Sequence, residues 1–397
     1  MLFALKAPNY GWQMISKLNK EKKRRILFII VEDRYFISHR LHLAQFAIEK
    51  GYEVGLICRI SKHKEFLNKN HIEVFDWSLV RGSFNLFLEV KAFFQLFSVF
   101  IKFSPSIIHA VALKPVIYSS LASKLIFLKS RVFALGGLGF IFSSSKTLAR
   151  ILRPIVAILL KFAFTGKGTR LIIQNKDDSK TLTSLGIVKE DKIELIKGAG
   201  VDTEQFSFVE EKTDIPEVIL PARLLWDKGV GEFVEAARLL NKKGVNAIFS
   251  LVGEIDPHNP ECIPQNKIDE WKQEGVVNIL GFRDDMVNCI QDCSIVCLPS
   301  YREGLPKSLL EAASCGRPIV TTDVPGCREI VKNGINGFLV PSKNPVLLAD
   351  SIYKLIIDKN LRRKMGKRGR ELVEKELSAE IVSIKTEQLW NNLLNYS

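Results

Sequence analysis

The chain has 397 residues, of which 47% are hydrophobic and 25% charged, a composition that excludes a disordered or low-complexity protein. Because single hydrophobic cores stop growing at about 250–300 residues, this length predicts two domains. Residues 1–205 hold 32 Lys and Arg against 16 Asp and Glu, whereas residues 206–397 hold 25 against 27. The first half therefore carries a formal charge of +16 and the second half −2.

Residues 1–25 form a basic leader. No long apolar core with a small-residue cleavage site follows it, so we find no secretory signal. Of the seven cysteines, Cys289, Cys293 and Cys297 lie close together without histidine partners, which argues against metal or disulfide roles. We expect a protein of the reducing cytoplasm.

Strands and helices alternate in the first half. The predicted strands cover 25–31, 53–58, 107–111, 131–135 and 171–174. A helix is predicted over 39–50, ending at Gly51, and the later strands are separated by helix-length segments. This alternation predicts a doubly wound, Rossmann-like α/β domain over 26–205, with a parallel sheet and helices on both faces.

Two apolar segments of this domain, 84–103 and 148–164, are interrupted by Lys or Arg. Between Glu89 and Asp177 the chain has thirteen Lys or Arg and no acidic residue. Charges inside both segments exclude bilayer spans, so we interpret them as amphipathic helices at an anionic membrane surface. Ordinary core helices with solvated basic faces are the alternative. No nucleic-acid-binding motif accompanies the charge, so nucleic acid is not an expected partner.

A linker with the loop Gly198–Asp202 leads into the second half. There the predicted strands cover 218–221, 246–252, 277–280, 294–298, 318–321 and 337–340, with helices over 230–243 and 307–314. We therefore predict a second Rossmann-like domain over 206–375, facing the first across a cleft. The last helical segment, 361–394, has no strand after it, and we expect the C-terminal helix (376–397) to pack back on the first domain.

The most informative stretch is REGLPKSLLEAASCGRPIV at 302–320. Glu303 precedes the predicted helix and Glu311 lies on it, a spacing that lets both face one ligand. The backbone N–H groups of residues 304–308 present a positive helix end to an anion. Carboxylates for vicinal hydroxyls beside a phosphate-binding helix end indicate a nucleotide-sugar site.

Arg223 and Lys228, in PARLLWDKG at 221–229, follow the first strand of the second domain. Cations at the carboxyl end of such a sheet can bind a diphosphate, although alone they would suggest only a solvated surface pair. No G-x-G-x-x-G follows the first strand, so a nicotinamide or flavin cofactor is not supported.

These motifs, together with TDVPGCREIVKNGINGFLV at 322–340, resemble those of glycosyltransferase family 4, the retaining enzymes of GT-B fold. The resemblance covers nearly the whole chain. Through EDRYFISHRLHLA at 32–44 it is closer to bacterial members that glycosylate polyprenyl-diphosphate-linked sugars in lipopolysaccharide, capsule or O-antigen assembly.

The resemblance implies a role for each matching residue. Arg223 and Lys228 would hold the donor diphosphate and stabilise its charge as it leaves. Glu303, with the amides of Gly304 and Leu305, would contact the donor sugar. The remaining assignments are Glu311 to the ribose hydroxyls, His39 to the cleft on the acceptor side, near acceptor or donor, and His109 to catalysis beside the reacting sugar. Gly137, in the glycine cluster that follows the 131–135 strand, is also assigned to the acceptor side, although a plain flexible turn there would need no ligand. His109 could instead be a satisfied core histidine, and His39 a polar residue at a helix N-terminus.

The expected mechanism follows from charge. No D-x-D motif is present to hold a divalent ion, and fixed cations with a helix end can replace it, so we expect metal-independent transfer without a cofactor. Retention of configuration needs either a carboxylate nucleophile or front-face transfer. The resemblance assigns both glutamates to the recognition of hydroxyl groups, so we favour front-face transfer.

The sequence thus predicts a hexosyltransferase that moves a sugar from a nucleotide sugar, a UDP-hexose or UDP-HexNAc, to a lipid-linked saccharide. It would act at the inner face of the cytoplasmic membrane as a peripheral protein. A sugar-nucleotide epimerase of GT-B fold and a non-catalytic membrane-associated protein are the alternatives.

Overall fold

The structure of the protein is a computed structural model that describes residues 24–395, apart from 81, 83–84, 139–141, 143–146, 213 and 258, and only the backbone of 147–149. The predicted basic leader, 1–25, lies outside the described residues except for its last two.

The chain alternates strands and helices along almost its whole described length. The strands are β1 (Arg25–Glu32), β2 (Glu53–Arg59), β3 (Ile72–Asp76), β4 (Ile107–Val111), β5 (Ser130–Leu135), β6 (Thr169–Ile173), β7 (Ile193–Leu195), β8 (Glu217–Pro221), β9 (Ile248–Val252), β10 (Asn278–Gly281), β11 (Ile295–Leu298), β12 (Ile319–Thr322) and β13 (Gly337–Val340). The helices are α1 (Asp33–His39), α2 (Leu41–Glu49), α3 (Lys64–Lys69), α4 (Leu86–Phe103), α5 (Leu113–Leu125), α6 (Thr147–Ala163), α7 (Lys176–Ser184), α8 (Val230–Lys242), α9 (Gln265–Glu274), α10 (Met286–Asp292), α11 (Lys307–Ser314), α12 (Cys327–Ile330), α13 (Pro345–Ile357), α14 (Lys359–Leu372) and α15 (Ala379–Asn395).

Two parallel sheets organise the molecule. The first has the strand order β3-β2-β1-β4-β5-β6-β7, and the second has the order β10-β9-β8-β11-β12-β13. Strands β4 and β5 are buried along their whole length, as expected for strands covered on both faces. Two doubly wound, Rossmann-like domains are therefore confirmed.

Different helices cover the two faces of the first sheet. Helices α4, α5 and α6 cover one face, where Phe100, Val116 and Leu160 enter the core. Helices α1, α2 and α15 cover the other, where Phe36 and Trp390 are buried. The carboxyl ends of all strands in one parallel sheet lie at the same edge, and that edge carries the site described below.

The C-terminal helix packs back on the first domain, as predicted. Trp390 meets Phe28 edge to face with ring centroids 6.0 Å apart, and the Tyr52 hydroxyl donates to the side-chain oxygen of Asn391 at 2.9 Å. The predicted last helical segment, 361–394, is helical apart from Ser378, but it is not one α-helix. A π-helical turn over Val373–Leu377 and extended Ser378, which bridges to Val201, separate α14 from α15.

Two other expectations need correction. The chain is already helical from Asp33, before the predicted start at 39, and the helix breaks at Arg40 between α1 and α2. Strands β3 and β7 were not predicted, because both are short edge strands and β7 has too few residues to form an apolar run. Among the described residues, no helix combines the length and apolar character needed to cross a membrane.

Candidate active site in the interdomain cleft

Lys228 and Glu303 form the centre of the candidate site. Lys228 ends a short 3-10 turn after β8, and its Nζ lies 2.6 Å from Oε1 of Glu303 in the loop after β11. The Ser300 hydroxyl donates to the same oxygen at 2.7 Å. Gly229, at φ +72°, allows the turn to approach closely, because a Cβ there would lie 2.1 Å from the Pro299 carbonyl oxygen. The structure thus brings together two residues that are 75 positions apart.

Arg223 lies at the same sheet edge but has a different partner. Its guanidinium pairs with Asp256, in the loop after β9, and its side chain is 45% exposed. An exposed guanidinium can exchange a carboxylate for a phosphate at little desolvation cost. Sequence reasoning missed Asp256, because nothing in the loop after β9 indicates which cation it will meet.

Asp227 is a second acidic residue that sequence reasoning missed. Burial raises the pKa of Asp227, and the charge on adjacent Lys228 opposes that shift. One of its carboxylate oxygens is buried without a hydrogen-bond partner among the described residues. The sequence did contain a signal for Asp227, because this residue directly precedes Lys228, the candidate diphosphate-binding lysine, in the triplet D-K-G.

Glu311 lies on α11, whose first turn has no side-chain cap. It is 8% exposed, and its carboxylate pairs with Lys307 one turn earlier at 3.0 Å. Burial raises the pKa of Glu311, and Lys307 partly offsets the effect. The two glutamates therefore belong to separate ion pairs, Glu303 with Lys228 and Glu311 with Lys307.

Gly304 and Leu305 contact the first domain. A Cβ on Gly304 would lie 1.7 Å from the carbonyl oxygen of Gly136, and one on Gly137, at φ +139°, would lie 3.3 Å from the Gly304 Cα. Leu305 packs against Gly198, where a Cβ would approach its Cδ2 at 2.4 Å. Gly137, predicted on the acceptor side, therefore lies directly against the loop that carries Glu303.

His39 ends α1 and is half-buried. Its ring stacks on Tyr35 with centroids 4.3 Å apart, and its Nδ1 lies 2.7 Å from the Ser38 hydroxyl. Burial lowers the pKa of His39 to about 3, and the charges of Lys307 and Arg40 act in the same direction. The first domain therefore presents a neutral imidazole on the side facing α11.

His109 needs correction. It was predicted at the end of its strand, but it is the third of five residues in β4 and is 1% exposed. Its ring stacks on Phe28 at 5.4 Å and meets Trp390 edge to face at 5.8 Å. Burial lowers the pKa of His109 well below its ordinary value. A histidine enclosed by Phe28 and the C-terminal helix does not reach the cleft, so it is a core residue and not a catalytic one.

Metal-ligating side chains do not cluster in the described part of the chain, where no group of three His, Cys, Asp or Glu could hold an ion. All seven cysteines are free thiols.

Comparison with known proteins agrees with this architecture. Residues 25–175 match the family described as Glycosyl transferase 4-like, and residues 201–372 match Glycosyl transferases group 1. The chain is 32% identical over 353 residues to the N,N'-diacetylbacillosaminyl-diphospho-undecaprenol alpha-1,3-N-acetylgalactosaminyltransferase of Campylobacter jejuni, covering 84% of this chain and 91% of the relative.

A second relative is the UDP-Gal:alpha-D-GlcNAc-diphosphoundecaprenol alpha-1,3-galactosyltransferase of Escherichia coli, 26% identical over 340 residues, with 81% of this chain and 85% of the relative covered. The fold is similar to that of sucrose-phosphate synthase from Thermosynechococcus elongatus, with a TM-score of 0.77 at 18% identity over 94% of this chain and 100% of that one.

The chain belongs to glycosyltransferase family 4 and has the GT-B fold, as its motifs predicted.

Proposed function

We propose that this glycosyltransferase moves a hexose or N-acetylhexosamine from a UDP-sugar to a saccharide linked to a polyprenyl diphosphate. The observation that carries the proposal is the Lys228–Glu303 pair, which sets a cation for a diphosphate beside a carboxylate for sugar hydroxyls at one sheet edge. The names of both relatives specify a diphospho-undecaprenol acceptor, and one specifies UDP-Gal as donor.

Each residue has a distinct role in the proposal. Lys228 and Arg223 neutralise the diphosphate as it leaves, Glu303 orients the donor sugar, and Glu311 binds the ribose hydroxyls. Fixed cations in a partly dehydrated cleft are the main source of rate enhancement, because they stabilise charge that develops only in the transition state.

The proposed step is a front-face displacement. The acceptor hydroxyl oxygen bonds to the anomeric carbon while the bond from that carbon to the diphosphate oxygen breaks, and the hydroxyl proton passes to the departing diphosphate. No protein nucleophile is required, and Lys228 with Arg223 takes the place of a divalent ion.

A membrane surface is the proposed working place. Helix α6 exposes a stripe of apolar side chains at helical spacing, Ile151, Ile155, Ile158 and Phe162, and α4 exposes Leu86, Phe87, Val90, Phe94 and Ile101. Helix α5 packs between these two helices, so the stripes share one face of the first domain, which we call the outer face. Exposed Lys91, Arg150 and Lys161 lie on the same two helices. Apolar and basic groups together suit the interface of an anionic bilayer.

The test is a transfer assay of the purified protein with a panel of UDP-sugars and a polyprenyl-diphosphate-linked N-acetylhexosamine in detergent. We expect one donor to give product at the same rate with and without EDTA. Inactivation by EDTA with rescue by a divalent cation would overturn metal-independent transfer. A changed sugar formed from the donor without acceptor would instead indicate an epimerase.

A further inference from the structure

A polar segment directly after β6, residues 174–178 (QNKDD), has no part in the mechanism above, yet two of its side chains are almost completely enclosed. Asn175 is 0% exposed and Asp178 is 3% exposed. Buried amides and carboxylates require hydrogen-bond partners. In both cases a partner comes from the second domain, across the cleft.

Asn175 joins the start of α7 to the loop that carries Glu303. Its side-chain oxygen accepts from the Asp178 backbone N–H at 2.8 Å and so caps α7. Its amide nitrogen donates to the Gly304 carbonyl oxygen at 3.1 Å and to the Asp178 carboxylate at 3.1 Å. One asparagine thus fixes both the helix end and the opposite loop.

Asp178 contacts the same loop through charge. Its Oδ1 accepts from an Arg302 guanidinium nitrogen at 2.9 Å. Burial raises the pKa of Asp178, while the hydrogen bond from Asn175 and the charge of Arg302 lower it. A buried carboxylate of this kind becomes costly when its cation is removed, so the pair resists separation.

The loop is therefore held from both domains. Residues 302 and 304 contact the first domain through Asp178 and Asn175, whereas Glu303 between them contacts Lys228 and Ser300 of the second domain. The absence of a side chain on Gly304 permits this, since a Cβ there would collide with the Gly136 carbonyl.

We infer that Asn175 and Asp178 are positioning residues of the first domain that hold the Arg302–Gly304 loop, so that Glu303 meets the donor sugar only when the domains are closed. The inference rests on the proposed function, which assigns Glu303 to the donor sugar. Arg223 pairs with Asp256 and Glu311 pairs with Lys307, both within the second domain. Lys228 is held in the turn after β8 of the same domain, so binding of the UDP portion should not depend on this segment. The first domain, which is proposed to receive the acceptor, thus also completes the donor site, because it holds the loop that carries Glu303.

The experiment measures transfer kinetics and nucleotide affinity for Asp178→Asn and Asn175→Ala. We expect kcat to fall at least tenfold, with the Kd for UDP unchanged within twofold and the affinity gain of UDP-sugar over UDP reduced. Asp177→Asn is the matched control, because the pair that Asp177 makes with Arg328 of the second domain is exposed on both sides and long, at 3.4 Å. This variant should stay within twofold of wild type. Asp178→Glu keeps the charge and should restore part of the rate.

Arg302→Gln removes the same ion pair from the partly exposed side and serves if a buried substitution prevents folding. Since the pair acts as a unit, Asp178→Asn combined with Arg302→Gln should cost little more than either change alone. Wild-type kcat in Asp178→Asn, or loss of UDP affinity in proportion to kcat, would overturn the inference.

A readout that needs no turnover separates this inference from the proposed function. Small-angle X-ray scattering with saturating UDP should give a larger radius of gyration for Asp178→Asn than for wild type. An identical radius would count against the role of Asn175 and Asp178 in holding the domains together. A larger radius for Asp178→Asn, together with no sugar transfer by the wild type, would refute only the proposed function.

Discussion

The cleft and the outer face of the first domain both carry cations, but they hold them differently. In the cleft the cations face carboxylates, as in the Lys228–Glu303, Lys307–Glu311 and Arg302–Asp178 pairs. On the outer face the cations stand beside exposed Ile and Phe, in a segment that has no acidic residue between Glu89 and Asp177.

The two regions differ in the kind of anion that each can bind. Cleft cations are preorganised by protein carboxylates and can exchange a carboxylate for the oxygens of a phosphate, since both accept charge-assisted hydrogen bonds. The outer face has apolar groups that only an apolar phase can cover, so its anions should come from a surface that also buries hydrocarbon. One region is built for a small molecule and the other for an interface.

The sharpest way to break the comparison is to remove the central cleft cation. Lys228→Ala should lower kcat/KM by about 100-fold or more, because the loss of one preorganised charge at a developing anion costs several kcal/mol. Lys243→Ala is the control, since that lysine is exposed and pairs with Asp350 at 3.5 Å; it should leave the rate within twofold of wild type. A Lys228→Ala enzyme with a third of the wild-type rate would remove Lys228 from the mechanism.

A change on the outer face should weaken binding to lipid without affecting binding of the donor nucleotide. Ile155→Asp combined with Ile158→Asp places two charges in the exposed stripe of α6 and should reduce liposome binding and transfer to a lipid-linked acceptor by about tenfold or more. Stabilisation by UDP should not change. Val346→Asp, at an exposed apolar position of the second domain, controls for a general loss of solubility. Equal loss of liposome binding in the double variant and in the Val346→Asp control would show that the outer face is not the membrane-binding surface.

Salt should sharpen the comparison further. Binding to anionic vesicles should weaken several-fold when NaCl rises from low to high concentration, because a basic residue near an anionic surface contributes about 1 kcal/mol that ions screen. Lys161→Gln should cost about fivefold at low salt and little at high salt. The affinity for UDP, measured under the same conditions, shows separately how salt affects binding in the cleft. Vesicle binding that ignores both salt and lipid charge would contradict an electrostatic role for the outer face.

The smallest effect concerns the histidines at the cleft. Burial lowers the pKa of His39 to about 3, below the ordinary value of 6.5. Burial also lowers the pKa of His42, on α2, to about 4, and the charges of Arg40 and Lys307 act in the same direction. As pH falls below about 6.5 the unfolded chain takes up protons before the folded one does, so these groups make the folded state lose stability.

Denaturant unfolding at pH 7.5 and 5.5 should therefore show that His39→Gln with His42→Gln loses less stability than wild type. The difference should be on the order of 1 kcal/mol for each histidine. Identical losses in the two proteins would mean that these rings titrate normally in the folded state.

Local patterns were enough to predict most of the architecture. Runs such as Ile107–Val111 are apolar except for His109, because central strands of a parallel sheet are buried on both faces, and the structure has the same bounds. Edge strands such as Ile193–Leu195 were not predicted, since a three-residue strand at the edge of a sheet needs no apolar pattern. The predicted helix over Lys307–Ser314 was also correct, because Pro306 marks its start and apolar residues follow at helical spacing.

The site was recognisable in its motifs but not in its pairings. Lys228 and Glu303 could be assigned to one ligand, yet only the fold shows that they contact each other. His109 was misplaced for the same reason, because no pattern near it indicates that Trp390, on α15 at the far end of the chain, covers its ring.

The sequence by itself determined the two sheets, the excess of basic residues in the first half and the family, because periodicity, composition and short motifs are local properties of the chain. Only the tertiary structure decided that Asn175 and Asp178 hold the Glu303 loop, that His109 lies in the core, and that the apolar stripes of α4 and α6 share one face. Each of these depends on contacts between segments distant in sequence, and such contacts form when the two sheets and the returning C-terminal helix bury their apolar surfaces together.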